Sequence, residues 1–160
     1  HGMAIAIGAD SMGIWLKDSL IRHLENKGIQ MLDVGGYDGK PKRRYYEVAS
    51  DVARLIQRGE AEKGILLCGT GMGVAIVANK FKGIYAAVIE SEFAALKAKQ
   101  INNANVLAFG PMMISEWRAK LAVDHWLAAR HTDEAANDEV AEFLKYSIGV
   151  IRQIEDENFK

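Results

Sequence analysis

The feature that most limits the fold of this chain is an alternation of two periodicities. Short apolar runs at residues 3–8, 30–34, 64–68, 84–89 and 105–109 read as buried strands. Between them the apolar residues recur at helical spacing, first as Leu16, Leu20 and Leu24, then as Val48, Val52, Leu55 and Ile56. Residues 71–80, 93–99 and 115–129 continue the alternation, and Val140, Phe143, Leu144, Ile151 and Ile154 stripe a last helix. This pattern predicts an α/β fold, a parallel sheet wrapped by helices on both faces. Ser11 is expected to cap the first helix, and Lys27 and Gly28 to end it. In such sheets ligands bind beyond the carboxyl ends of the strands, near a switch in strand order. The strand ends marked by Gly8 and by Gly69 are expected to meet in one crevice, and Gly110 marks a third.

Composition narrows the function class. A chain of 160 residues, 49% hydrophobic and 26% charged, predicts one globular domain over residues 3–160. His1 and Gly2 read as a cloning remnant. A formal net charge of −1 gives no reason to expect a nucleic acid or an anionic membrane as partner. No apolar run approaches the roughly 18 residues of a membrane span, and no basic-then-apolar leader pattern is present. The single cysteine, Cys68, excludes an internal disulfide and fits a reducing cytoplasm. His1, His23, His125 and His131 show no metal-ligand spacing, so no metal is expected. Trp15, Trp117 and Trp126 read as packing residues. The glycines at 69, 71 and 73 lack the spacing and acidic partner of a dinucleotide site, and no cofactor is expected.

The segment Cys68, Gly69, Thr70, Gly71, Met72, Gly73 carries the strongest chemical signal. Its glycines let the backbone turn tightly and present N–H groups at a helix start. Such a nest can hold a phosphate or an oxyanion as it forms. A thiolate beside it can take a proton from the carbon next to a carbonyl. The alternative is a buried cysteine at a plain turn. Asp10, at the end of the first strand, can serve sugar hydroxyls or supply charge to a helix start. Lys40, Lys42, Arg43 and Arg44 form a basic stretch just before Tyr45, either a solvated loop or an anion clamp.

These segments resemble the type B ribose-5-phosphate isomerase family, which includes the subunits of galactose-6-phosphate isomerase. Gly8, Ala9, Asp10, Ser11, Met12 and Gly13 are similar to its first-strand motif G-x-D-H-x-G. Residues 60–73 are close to its most specific segment, and Asn79 with residues 102–110 follow in family order. The resemblance implies a Rossmann-like three-layer sandwich on a five-stranded parallel sheet with an extra C-terminal helix. It also implies a cofactor-free aldose–ketose isomerase acting through a cis-enediolate, assembled as a homodimer or tetramer with active sites between subunits. By the same resemblance Cys68 is the base and Asp10 serves the hydroxyls. Thr70 belongs to a loop that helps ring opening, and Tyr45 and Asn102 contact the sugar. The backbone amides of Gly71, Met72 and Gly73 would stabilise the enediolate oxygen, and Gly69 is a further substrate-binding residue.

The departures from the family pattern are equally specific. Ser11 replaces the histidine of the first motif, and Ile101 replaces the histidine assigned to ring opening. Met112 stands at the arginine that follows the fifth strand, and residues 134–139 lack both phosphate arginines of the C-terminal stretch. Ile, Met and Ala supply none of those hydrogen bonds. A tetrose 4-phosphate, whose blocked 4-oxygen cannot close a furanose ring, would not need the ring-opening group. Loss of the arginines calls for another clamp, with Lys42, Arg43 and Arg44 as candidates, or for a sugar without phosphate. A sugar-binding partner subunit and a flavodoxin-like nucleotide module are the competing readings.

Overall fold

The computed structural model describes residues 4–35 and 42–159. The expected tag remnant, Met3, and the part of the basic stretch at Lys40 lie outside the described residues. Strands β1 (Ile5–Ala9), β2 (Met31–Asp33), β3 (Lys63–Leu67), β4 (Ala86–Val88) and β5 (Val106–Phe109) alternate with helices α1 (Ile14–Glu25), α2 (Tyr45–Gln57), α3 (Met72–Ala78), α4 (Glu92–Gln100) and α5 (Glu116–Ala128). A sixth helix, α6 (Asp138–Asn158), follows. All strand pairs are parallel and the sheet order is β2-β1-β3-β5-β4. The chain leaves β1 toward β2 and then crosses to the other side of β1 for β3. The switch in strand order therefore falls between β1 and β3.

Period-two alternation divides the strands between two cores. Ile5, Ile7, Ala9, Ile65, Leu67, Leu107 and Phe109 face α1, α4 and α5, while Ala6, Leu66, Val106 and Ala108 face α2 and α3. Both faces being covered explains why the strands read as continuous apolar runs rather than as an alternation. Close packing sets the need for small residues here. A side-chain carbon on Gly64 would lie 2.5 Å from Val52 Cγ1 on the α2 side, and one on Gly8 would lie 2.6 Å from Val34 Cγ2.

Two sequence expectations are corrected. Ser11 does not cap α1; it lies exposed in a turn, and Gly13 is the residue before the helix. The cause is Asp10, whose Oδ1 accepts the Met12 N–H at 2.9 Å and whose carbonyl accepts the Gly13 N–H at 3.0 Å, delaying the helix start. Of the three tryptophans only Trp126 is buried, its Nε1–H donating to the Ala104 carbonyl at 3.0 Å. Trp15 and Trp117 are 53% and 68% exposed, because they fall on the outer faces of α1 and α5. The apolar stripe of α6 buries no residue. That helix is held to the rest of the chain by Glu155, which accepts from the Gly83 N–H at 2.6 Å and from the Tyr85 hydroxyl at 2.7 Å. None of the helices among the described residues is long and apolar enough to cross a membrane.

Candidate active site

The carboxyl ends of β1 and β3 are adjacent because Ala9 pairs with Leu67. One residue further on, the Asp10 N–H donates to the Leu67 carbonyl at 3.2 Å, so Asp10 and Cys68 leave the sheet side by side. Cys68 is a free, buried cysteine, and its own N–H is tied to the Phe109 carbonyl at 3.2 Å. The turn that follows folds back on it, and the Gly71 N–H donates to Cys68 Sγ at 3.1 Å. Gly71 has φ +83°, the left-handed conformation that lets the chain reverse here. The sulfur thus accepts a backbone amide hydrogen bond from within its own turn.

The rest of the loop is pinned from β5. A side-chain carbon on Gly110 would fall 2.3 Å from the Thr70 carbonyl carbon and 2.4 Å from the Gly69 oxygen. The Gly69 carbonyl also accepts the Met112 N–H at 3.1 Å. Thr70 Oγ1 accepts the Met72 N–H at 3.2 Å. Of the three loop amides named from sequence, those of Gly71 and Met72 are thus engaged within the loop. The Gly73 N–H has no hydrogen bond among the described residues.

Tyr45 reaches the same loop from the start of α2, its ring lying against Gly73 and edge-on to Tyr46 with centroids 5.3 Å apart. A cavity of about 420 Å³ opens beside it, lined by Asp10, Ser11 and the run from Lys42 to Tyr46. A larger cavity of about 540 Å³ lies between α4 and α5, with His125, Asp133 and Glu134 in its wall. It is remote from the strand ends and holds no nucleophile.

Asn102 is not brought to this crevice. It follows α4 and precedes β5, so it lies at the amino end of the sheet, against Tyr85, Ile148 and Ile151. Met12 and Met112 were not read from sequence as site residues. The Met112 sulfur lies 3.3 Å, and Met12 Cβ 3.9 Å, from where a Gly69 side-chain carbon would stand, so the two cap the loop with apolar surface. No local signal marks them, since the contact depends on β1, β3 and β5 being neighbours. Among the described residues no three His, Cys, Asp or Glu side chains gather as a metal-ligand group.

The sequence pattern of the Ribose/Galactose Isomerase family matches residues 5–143. The chain belongs to that family. The isomerase is 39% identical over 153 residues to 4-deoxy-4-sulfo-D-erythrose isomerase of Clostridium sp. (strain MSTE9), covering 94% of this chain and 96% of that one. It is 41% identical over 127 residues to ribose-5-phosphate isomerase B of Escherichia coli (strain K12), covering 79% and 85%. Its structure superimposes on ribose-5-phosphate isomerase B of Clostridium thermocellum with a TM-score of 0.85 at 33% identity, over 97% of this chain and 99% of that one. The Rossmann-like three-layer architecture is shared along that whole length. The protein is accordingly an aldose–ketose isomerase of the sugar and sugar-phosphate class, and the crevice at β1 and β3 is where its family motifs converge.

Proposed function

We propose that Cys68 is the base of this isomerase and that the crevice between β1 and β3 is its active site. In the aldose-to-ketose direction the Cys68 thiolate removes the proton from C2, leaving a cis-enediolate, and returns it to C1. Asp10 carries the matching proton from the C2 hydroxyl to the C1 oxygen, so the sugar is rearranged with no net loss of atoms or charge. The Gly73 amide supports the enediolate oxygen, Thr70 holds the loop shape through Met72, and Tyr45 closes one side. The observation that carries this reading is the convergence of Cys68 and Asp10 at adjacent strand ends, with the Gly71 N–H on the sulfur.

The substrate we favour is a four-carbon sugar bearing a terminal anionic group. Two points support it. A relative matched over 94% of this chain is named for a sulfo-erythrose. Ile101 stands where the family resemblance places a ring-opening histidine, and a tetrose blocked at C4 has no furanose ring to open. Asn102, at the far end of the sheet from its own Cys68, reaches a sugar only in the crevice of a second copy. We therefore read the enzyme as a homodimer, or a pair of dimers, with shared sites. We read its compartment as a reducing, cytoplasmic one, which a free thiol as catalytic base supports.

Proton exchange in deuterium oxide tests the chemistry, with erythrose 4-phosphate and ribose 5-phosphate as substrates. Deuterium is expected at C2 with the wild type and at least about 100-fold more slowly with Cys68→Ser. Undiminished exchange in the variant removes Cys68 from the mechanism.

A further inference from the structure

The three cations on the wall of the 420 Å³ cavity are not equivalent. Arg43 is already occupied. Its Nη1 donates to the Val34 carbonyl at 2.7 Å and to Asp51 Oδ2 at 2.5 Å, so its charge is neutralised by a carboxylate in the second turn of α2. Its stem lies across Gly35, where a side-chain carbon would stand 2.5 Å from Arg43 Cδ. Gly35 is itself held by its N–H donating to Asp33 Oδ1 at 3.0 Å. Arg43 therefore ties the segment before α2 to the end of β2.

Arg44 and Lys42 differ. The Arg44 backbone N–H donates to Glu47 Oε1 at 2.8 Å, which fixes the residue at the start of α2, but its guanidinium forms no ion pair among the described residues. Lys42 is exposed and likewise forms none. Among the described residues the only carboxylate lining the cavity is Asp10, which holds the Met12 N–H. Two cations without an ion pair among the described residues thus line a cavity shared with Asp10, the residue that leaves the sheet beside Cys68. Their place relative to that loop is set by the next residue, Tyr45, whose ring is in contact with Gly73.

We propose that Arg44 and Lys42 form the binding site for the terminal tetrahedral oxyanion of the substrate, a phosphate or sulfonate, while Arg43 is a positioning residue that holds them in place. The inference rests on the isomerase reading above and names how that site selects its substrate. A planar guanidinium offers two parallel N–H donors to such an oxyanion and an ammonium adds a point charge. Because one chain supplies both the clamp and Cys68, the distance between them limits the length of sugar that fits.

The test compares D-erythrose 4-phosphate with uncharged D-erythrose on the wild type, Arg44→Ala, Lys42→Ala and the double variant, with inorganic phosphate binding measured by calorimetry. Each single variant is expected to raise KM for the phosphorylated sugar about tenfold, the double variant about a hundredfold, with kcat little changed. KM for erythrose stays constant, phosphate binding weakens in parallel, and Arg44→Lys recovers part of the loss. Arg43→Ala weakens phosphate binding only together with a fall in melting temperature. An unchanged KM and unchanged phosphate binding in the double variant overturn the clamp while leaving the Cys68 chemistry intact. Absence of turnover on both sugars counts against the isomerase reading instead, and phosphate calorimetry then still decides the clamp.

Discussion

Gly73 lies directly beneath the ring of Tyr45, with the position of a side-chain carbon only 2.9 Å from Tyr45 Cε2 and 3.0 Å from Cδ2. This contact joins the start of α2 to the loop that holds Cys68. Gly73 is not in a left-handed conformation, so alanine is opposed by the ring alone. Tyr45 is 39% exposed and has room to swing outward. Gly73→Ala is expected to cost about 1 kcal/mol in urea unfolding while raising KM several-fold, because the ring and the cations beside it shift away from the loop.

Gly110 is the harsher case. The atoms that a side chain there would strike are backbone atoms of Gly69 and Thr70, at 2.3–2.4 Å, and these cannot rotate away. Gly110→Ala is expected to lose about 3 kcal/mol or more and to misplace Cys68 through its own loop. Chemical denaturation and the thiol reactivity of Cys68 check this. A wild-type midpoint in the variant shows that β5 does not support the loop.

The two ends of the tryptophan set separate burial from sequence type. Trp126→Phe removes the Nε1–H that satisfies the Ala104 carbonyl and opens space in the core, so a loss of about 2–3 kcal/mol is expected. Trp117→Phe changes a side chain that is 68% exposed and is expected to stay within about 0.5 kcal/mol of wild type.

Asp124 predicts a pH dependence of stability. Burial pushes its carboxyl up, but hydrogen bonds from Lys27 and His23 outweigh this and hold it below the ordinary carboxylate value. Its Oδ1 lies 2.8 Å from His23 Nε2 and 2.9 Å from Lys27 Nζ, which joins α1 to α5. A depressed native value means that the stabilisation is complete above the unfolded carboxylate pKa of about 3.9 and is lost as pH falls through the native value. Asp124→Asn is therefore expected to be less stable by about 1 kcal/mol near neutral pH. The gap to wild type closes in thermal melts below about pH 4. A gap that persists in acid assigns the effect to packing.

Much of the fold was legible because both faces of the sheet are covered. Strand β5 is then apolar at every position and β3 is so after Lys63, and β5 is followed by Gly110, whose lack of a side chain the neighbouring backbone requires. The glycine-rich loop and its pairing with the first strand end were legible for the same reason. The helix boundary at Ser11 was misjudged because the competing signal, the Asp10 carboxylate taking the Met12 N–H, is equally local and stronger. Trp15 and Trp117 were misjudged because an aromatic residue carries the same hydrophobicity whichever way its helix faces.

The sequence by itself determined the element types, the class of fold and the chemistry gathered at residues 68–73, since each depends on periodicity or on a few adjacent residues. Tertiary structure decided the rest. Strand order placed Asp10 beside Cys68 and sent Asn102 to the opposite end of the sheet, through hydrogen bonds between segments distant along the chain. Folding also separated Arg43 from Arg44, two adjacent residues of like charge. Asp51 and the Val34 carbonyl neutralise and anchor the first, while the guanidinium of the second forms no ion pair among the described residues. Charge is written in the sequence, but whether it is free to bind a ligand depends on which groups the fold sets against it.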